Sequence, residues 1–226
     1  MTTTPPDTLN PTEGERRSRG RPARSTTVDT EQLLRQARKI FARHGFDATS
    51  VRDIARGAGV DASLMTHYFG SKHALWAAVV KHIAHDAMPL VKATTALAQA
   101  DLLPRERLER AIGILVDRVF KEPDIGLFFS TAATEHGERV DFLVEHLVRP
   151  YHDAMLPLIK GAMDAGVLAS NEPEIVYWML VNAVSRTVAY GHVIDAFSPL
   201  PKRPAAFKRA VLQMALSMLG GQTAEG

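Results

Sequence analysis

Between Thr49 and Lys72 the chain collects side chains that hydrogen-bond phosphate oxygens. They are the hydroxyls of Thr49, Ser50, Ser63, Thr66 and Tyr68, the imidazole of His67, and the cations Arg52 and Lys72. Upstream, Arg16, Arg17, Arg19, Arg21 and Arg24 fall within nine positions. Hydroxyls and cations at this density suit a polyanion, because they neutralise phosphates and fix a protein on a nucleic-acid backbone. For the arginine cluster alone, a solvated charged tail is the competing explanation. Other chemistries are poorly served. Cysteine is absent, which removes thiol catalysis, thiolate metal sites and disulfides together and makes a reducing cytoplasm the easiest home. The sequence has no phosphate-binding glycine loop, no nucleophile elbow and no His-Glu-x-x-His. No catalytic residue and no cofactor is therefore assigned. His82, His85 and Asp86 share a helical face and could hold a metal, but three polar residues on a surface helix more readily form a solvated stripe, and no metal site is assigned.

The elements that position these groups begin with a charge asymmetry. Net charge is only +2, yet residues 16–81 hold 13 Lys or Arg against 5 Asp or Glu, whereas residues 82–226 hold 14 against 17. A basic head on a near-neutral body is the arrangement expected of a polyanion-binding protein. With 46% hydrophobic and 23% charged residues the chain can bury a core. The first 25 residues are polar and contain no apolar run, so no signal peptide is expected. Residues 175–194 are mostly apolar but are interrupted by Asn182, Ser185, Arg186, Thr187 and His192. A lone lipid-facing arginine costs about 2.5–3.5 kcal/mol on insertion scales. The segment is read as a buried helix at a subunit interface, with no membrane partner.

Residues 1–28 lack apolar periodicity and are expected to form a disordered basic arm. Asp29 with Gln32 then suggests a capping box, followed by Leu33, Leu34, Ala37, Ile40 and Phe41 on one helical face and a stop at Gly45. A second helix starts at Thr49 or Ser50 and stops at Gly59. A third is capped by Asp61, and a fourth, capped by Ser71, runs to Pro89. Two short helices joined by a glycine turn describe a helix-turn-helix, whose second helix enters the major groove. Beyond it the chain stays helical, over 89–100, 105–121, 124–135, 138–166 with a bend at Pro150, 174–194 and 205–219. Short breaks between helices imply a bundle. The expected fold is all-α: a three-helix DNA-binding head over 29–75 and a larger bundle over 76–226.

Phe41-Ala42-Arg43-His44-Gly45, Ile54-Ala55, Ala58-Gly59-Val60 and Phe69-Gly70-Ser71-Lys72-His73-Ala74-Leu75 follow one another in order and spacing. Over residues 30–80 this pattern resembles the TetR family of bacterial transcriptional regulators. The chain departs from it at Thr66, where the family usually has a phosphate-contacting tyrosine, and at Asp61, where the usual cap is Ser or Thr. The resemblance implies phosphate contacts from Thr49, Ser50, Thr66, His67, Tyr68 and Lys72, with Tyr68 or His67 taking over part of the missing tyrosine's contact. It implies base contacts from Arg52, Ala62, Ser63 and Met65. Arg52 is the side chain that could read guanine bidentately, and Ala62 and Met65 could meet thymine methyls. Shape readout carries specificity where the recognition helix lacks Arg, Asn and Gln.

The resemblance further implies a repressor that binds double-stranded operator DNA as a homodimer, and that a small-molecule effector releases. The effector pocket would lie among Phe120, Phe128, Phe129, His136, His146, Tyr151 and Trp178; ordinary core packing is the alternative for each. The dimer is expected along 174–194 and 205–219, with Val181 and Val184 facing the partner. An all-helical enzyme with an incidental basic head, or more remotely a recombinase subunit, is the alternative.

Arg19-Gly20-Arg21-Pro22, followed by Arg24, resembles an AT-hook core, which lays arginines in the narrow, negative minor groove of A·T-rich DNA. Deleting residues 1–24 is expected to lower the salt slope of DNA binding by up to about 0.9 per lost phosphate contact. It should also abolish a preference for A·T pairs flanking the half-site. Binding series with A·T or G·C flanks at matched salt check this, and a full-length protein indifferent to the flanks reduces the arm to a charged tether.

Overall fold

Each of the first four helices begins where a side-chain oxygen meets the free amides of its first turn. Asp29 accepts from the Gln32 amide to start α1 (Thr30–His44), and Ser50 accepts from Asp53 to start α2 (Val51–Ala58). Asp61 accepts from Ser63 to start α3 (Ala62–Phe69), and Ser71 accepts from Ala74 to start α4 (Lys72–Leu97). Gly59, left-handed at φ 68°, closes α2 and turns the chain into α3. The computed structural model describes residues 29–168 and 172–219, with no strand among them. After α4 follow α5 (Pro104–Lys121), α6 (Asp124–Ala132), α7 (Glu138–Leu143), a π-helical turn (Val144–Val148), α8 (Arg149–Asp164), α9 (Pro173–Ala189), α10 (Gly191–Ile194), a 3-10 turn (Leu200–Lys202) and α11 (Pro204–Ser217). Among the described residues no helix is long and apolar enough to cross a membrane.

Two apolar cores share α4. The first gathers Leu34 and Phe41 of α1, Ile54 of α2, Met65 of α3 and the α4 residues Trp76, Val80 and Ile83, together with Phe128 of α6 and Leu143 of α7. The second gathers Leu90 of α4 with α5, α8, α9 and α11, around Ile112, Met155, Ile159 and Leu180. α4 is continuous through Pro89, where the sequence suggested a stop. Pro89 and His85, whose carbonyl loses its helical partner, are both exposed, while Ile83, Leu90 and Thr94 are buried. Water serves the freed carbonyl, and burial on either side holds the helix together. The expected bend at Pro150 is a π turn just before it, in which the Arg149 amide reaches back to the Val144 carbonyl.

α1 is fastened to the α5–α6 corner by charge. Arg38, with 3% of its side chain exposed, donates from Nε and Nη2 to Asp124 (2.8 and 3.2 Å) and from Nη1 to Glu122 (2.6 Å). Arg118 donates from Nη1 to the other oxygen of Glu122. Burial alone would raise the Glu122 pKa, but the hydrogen bonds from Arg118 and Arg38 outweigh it and hold the carboxyl below its usual 4.5. A carboxyl depressed in this way adds stability above its unfolded pKa and loses that contribution as pH falls through the folded value. The wild-type protein should therefore lose stability on acidification below about pH 4.5. Arg38→Met should cost about 3 kcal/mol near neutrality, because it leaves Asp124 without its cation and takes one of two arginines from Glu122. It should also flatten the acid limb, both effects being read from urea melts across pH.

Candidate nucleic-acid interface and the cavity behind it

The turn between α2 and α3 leaves one face of α3 to solvent. Ser63, Thr66, His67 and Tyr68 are exposed, as are Ser50 and Arg52 at the start of α2, and Ala62 is half-buried. The His67 and Tyr68 rings meet edge to face at 5.7 Å, so the two aromatic tips stand together at the end of α3. The Thr66 hydroxyl donates to the Ala62 carbonyl, and Ser50 is engaged with Asp53. Arg52 has no ion partner among the described residues, unlike Arg56, which pairs with Asp53 at 3.3 Å. The hydrogen bonds from Ser63 to the capping carboxylate hold the Asp61 pKa below the usual aspartate range.

Three expected contacts are corrected, two by burial and one by hydrogen bonds made within the head. Met65, 1% exposed, packs into the head core and offers no methyl group to a base. Thr49 is buried and its hydroxyl donates to the Gly45 carbonyl at 2.7 Å. Lys72 turns inward: its Nζ donates to the carbonyls of Phe46 and Thr49, both at 3.0 Å, and of Asp47 at 3.4 Å, and stands 4.3 Å from the centre of the Phe46 ring. An ammonium has three protons, and the loop that leads into α2 offers three carbonyls to receive them. Arg19, Arg21 and Arg24 lie outside the described residues.

Behind the head, α4, α5, α6, α8 and α9 line a half-open cavity of about 120 Å³. That is room for roughly one aromatic ring, since an engineered apolar cavity of about 150 Å³ takes benzene. Of the expected pocket residues, Phe129, Tyr151 and Trp178 line it, with Phe129 and Trp178 stacked at 6.2 Å. The other four are placed elsewhere. Phe120 packs on Phe207 at 5.4 Å, and Phe128 is buried in the head core against Trp76. His136 is exposed, and His146 stacks on Phe142 at 4.0 Å. The sequence reading missed the polar lining: Arg118 and Glu122 of the corner network, and Ser130, Tyr177, Asn182 and Ser185. A signal for Arg118 was present, because it continues the apolar face Leu108, Ile112, Leu115 at helical spacing. Burial drives the Tyr151 phenol well above the usual tyrosine range, with Tyr177 adding to the rise, so it stays neutral. Gly126 lets α6 approach α9 along this wall, where an added methyl would stand 3.1 Å from the Ser185 carbonyl.

A capped two-helix unit that exposes hydroxyls, an imidazole and a free arginine, set on an all-helical body, defines a helix-turn-helix DNA-binding transcriptional regulator. Residues 33–79 match the family model described as bacterial regulatory proteins, tetR family. The chain is 23% identical over 199 residues to the HTH-type transcriptional regulator RutR of Escherichia coli (strain K12), covering 87% of this chain and 91% of that one. The fold matches a regulatory protein of the tetR family from Rhodococcus RHA1 with TM-score 0.65 and 17% identity, over 85% of this chain and 98% of the other. It also matches the regulator FadR from Bacillus subtilis in complex with stearoyl-CoA, with TM-score 0.58 and 14% identity, over 84% and 98%. Over residues 33–79 the chain thus carries the DNA-binding segment of the TetR family, and along most of its length it is similar to regulators of that family.

The inward turn of Lys72 has a measurable consequence. Lys72→Met should lower stability by about 2 kcal/mol, the range for hydrogen bonds to a charged group, and leave the salt slope of DNA binding unchanged. A phosphate contact would instead reduce that slope by about 0.9 with little change in melting temperature.

Proposed function

We propose that the protein is a cytoplasmic, homodimeric repressor whose head, residues 29–75, holds operator DNA and whose body, residues 76–226, dimerises and receives a small-molecule effector. The boundary between the two falls inside α4. The observation that carries this reading is the exposed face of α3, held at its start by the Asp61 cap and from behind by buried Met65. In it Ser50, Thr66, His67 and Tyr68 contact phosphates, while Arg52, Ala62 and Ser63 face base edges. The relative RutR is named a transcriptional regulator, and FadR has been solved with stearoyl-CoA, which supports a small-molecule ligand for this protein.

Dimerisation is drawn to the neighbouring helices α9 and α11, which expose Ile175, Met179, Met214 and Met218. Val184, expected to face a partner, is 2% exposed within one chain, and Val181 lines the cavity. Glu122 gives the cavity a route to the head, because it lines the cavity and also holds Arg38 of α1. A ligand that favours a different setting of this corner shifts the spacing of the two heads away from half-sites about 34–36 Å apart.

The test is a salt-dependent band shift on DNA flanking the protein's own gene, with Met179→Glu beside the wild type. The wild type should prefer that DNA to an unrelated fragment, and the variant should sediment as a monomer and lose at least about tenfold in affinity, as a dimer cut to one half-site must. No preference in the wild type removes the repressor reading, and a variant that remains a dimer removes this interface.

A further inference from the structure

Two buried polar atoms of the cavity's lining residues have no hydrogen-bond partner, the Tyr151 hydroxyl and one nitrogen of Arg118. Arg118 Nη2 is buried and has no hydrogen-bond partner, although Nη1 of the same guanidinium is committed to Glu122. A buried donor left unmade is costly, and more so on a charged group than on a neutral phenol, so of the two this nitrogen is where a guest gains most. The charges around it are already balanced. Arg38 and Arg118 face Glu122 and Asp124, two cations against two carboxylates, and Glu122 uses one oxygen for each arginine. The corner therefore has a spare donor and no spare positive charge. A carboxylate guest would bring an uncompensated charge against a largely apolar lining, and an ammonium guest would meet Arg118 as a like charge. The same cavity is lined by the apolar Leu115, Val119, Phe129 and Trp178, with Ser130, Asn182 and the two tyrosines among its other polar groups.

We propose that this cavity selects a small, uncharged, mainly apolar molecule carrying one carbonyl-type acceptor, which takes the free N–H of Arg118 while its ring or short chain lies against Phe129 and Trp178. The proposal rests on the reading of the cavity as the effector site and names the chemistry that site accepts.

Calorimetric titration of the full chain with four probes of one scaffold separates the possibilities: acetophenone, ethylbenzene, benzoate and benzylamine. Acetophenone should bind at least about tenfold tighter than ethylbenzene, the margin of a hydrogen bond to a charged donor. Benzoate and benzylamine should bind more weakly than acetophenone. Arg118→Met should bring acetophenone down to the affinity of ethylbenzene and leave ethylbenzene bound. Glu122→Gln, which removes one negative charge and keeps the shape, should move the preference toward benzoate; this second variant decides the matter if Arg118→Met does not fold. Equal wild-type affinities for acetophenone and ethylbenzene, no binding of either, or benzoate as the tightest probe overturns the proposal. The band shift repeated with saturating acetophenone keeps the two readings apart. Selective binding with no change in DNA affinity leaves the ligand chemistry standing and removes the effector role.

Discussion

A guanidinium withdrawn from water is tolerable only where carboxylates meet it, and Arg38 is withdrawn almost completely. Its partners sit where α5 ends and α6 begins, so the first helix of the head cannot be placed independently of the body. The Thr131 hydroxyl, donating to the Ala42 carbonyl at 3.0 Å, adds a second tie between α6 and α1. With these two attachments the orientation of α1 follows α6, and α2 and α3, which share its apolar core, follow α1. The geometry of the DNA-facing surface is thereby set at a corner remote from that surface.

α4 supplies the other constraint. Its front half is a wall of the head core and its rear half a wall of the body core, and at 26 residues it spans roughly 39 Å. Phe46 fixes its start, with Lys72 and the Arg139 guanidinium 4.3 and 4.0 Å from its ring centre and the ring of His73 against it. Trp76, one turn on, meets Phe46, Phe128 and Phe142. Aromatic contacts thus join α4 to the same α6 that Arg38 grips, and the cavity opens directly behind this junction.

Local chemistry made the head legible in the sequence. Capping oxygens and a left-handed glycine act within four residues, so Asp29, Ser50, Gly59, Asp61 and Ser71 could be placed without knowing the fold. The residues that went astray are those whose role is set by partners far along the chain. Met65 and Val184 read equally well as surface or core until the packing neighbours are known. Pro89 reads as a helix end, because nothing local says that Ile83 and Leu90 will each be buried in a different core. Arg38 lies among Leu34, Ala37 and Phe41 on an apolar face, and its carboxylates are 84 and 86 residues away. The cavity was half legible for the same reason: aromatic residues announce themselves by type, whereas Arg118 and Asn182 acquire meaning only when five helices converge.

The chain contains two tryptophans, and the fold gives one to each end of this system. Trp76 is 3% exposed inside the head core, whereas Trp178 is 38% exposed at the cavity wall on α9. The protein consequently carries two native optical reporters in different polarities, one answering to the integrity of the DNA-facing unit and the other to what enters the body. Light emitted by the unmodified chain can resolve events at the two ends, with each indole replaced in turn by phenylalanine to attribute the signal.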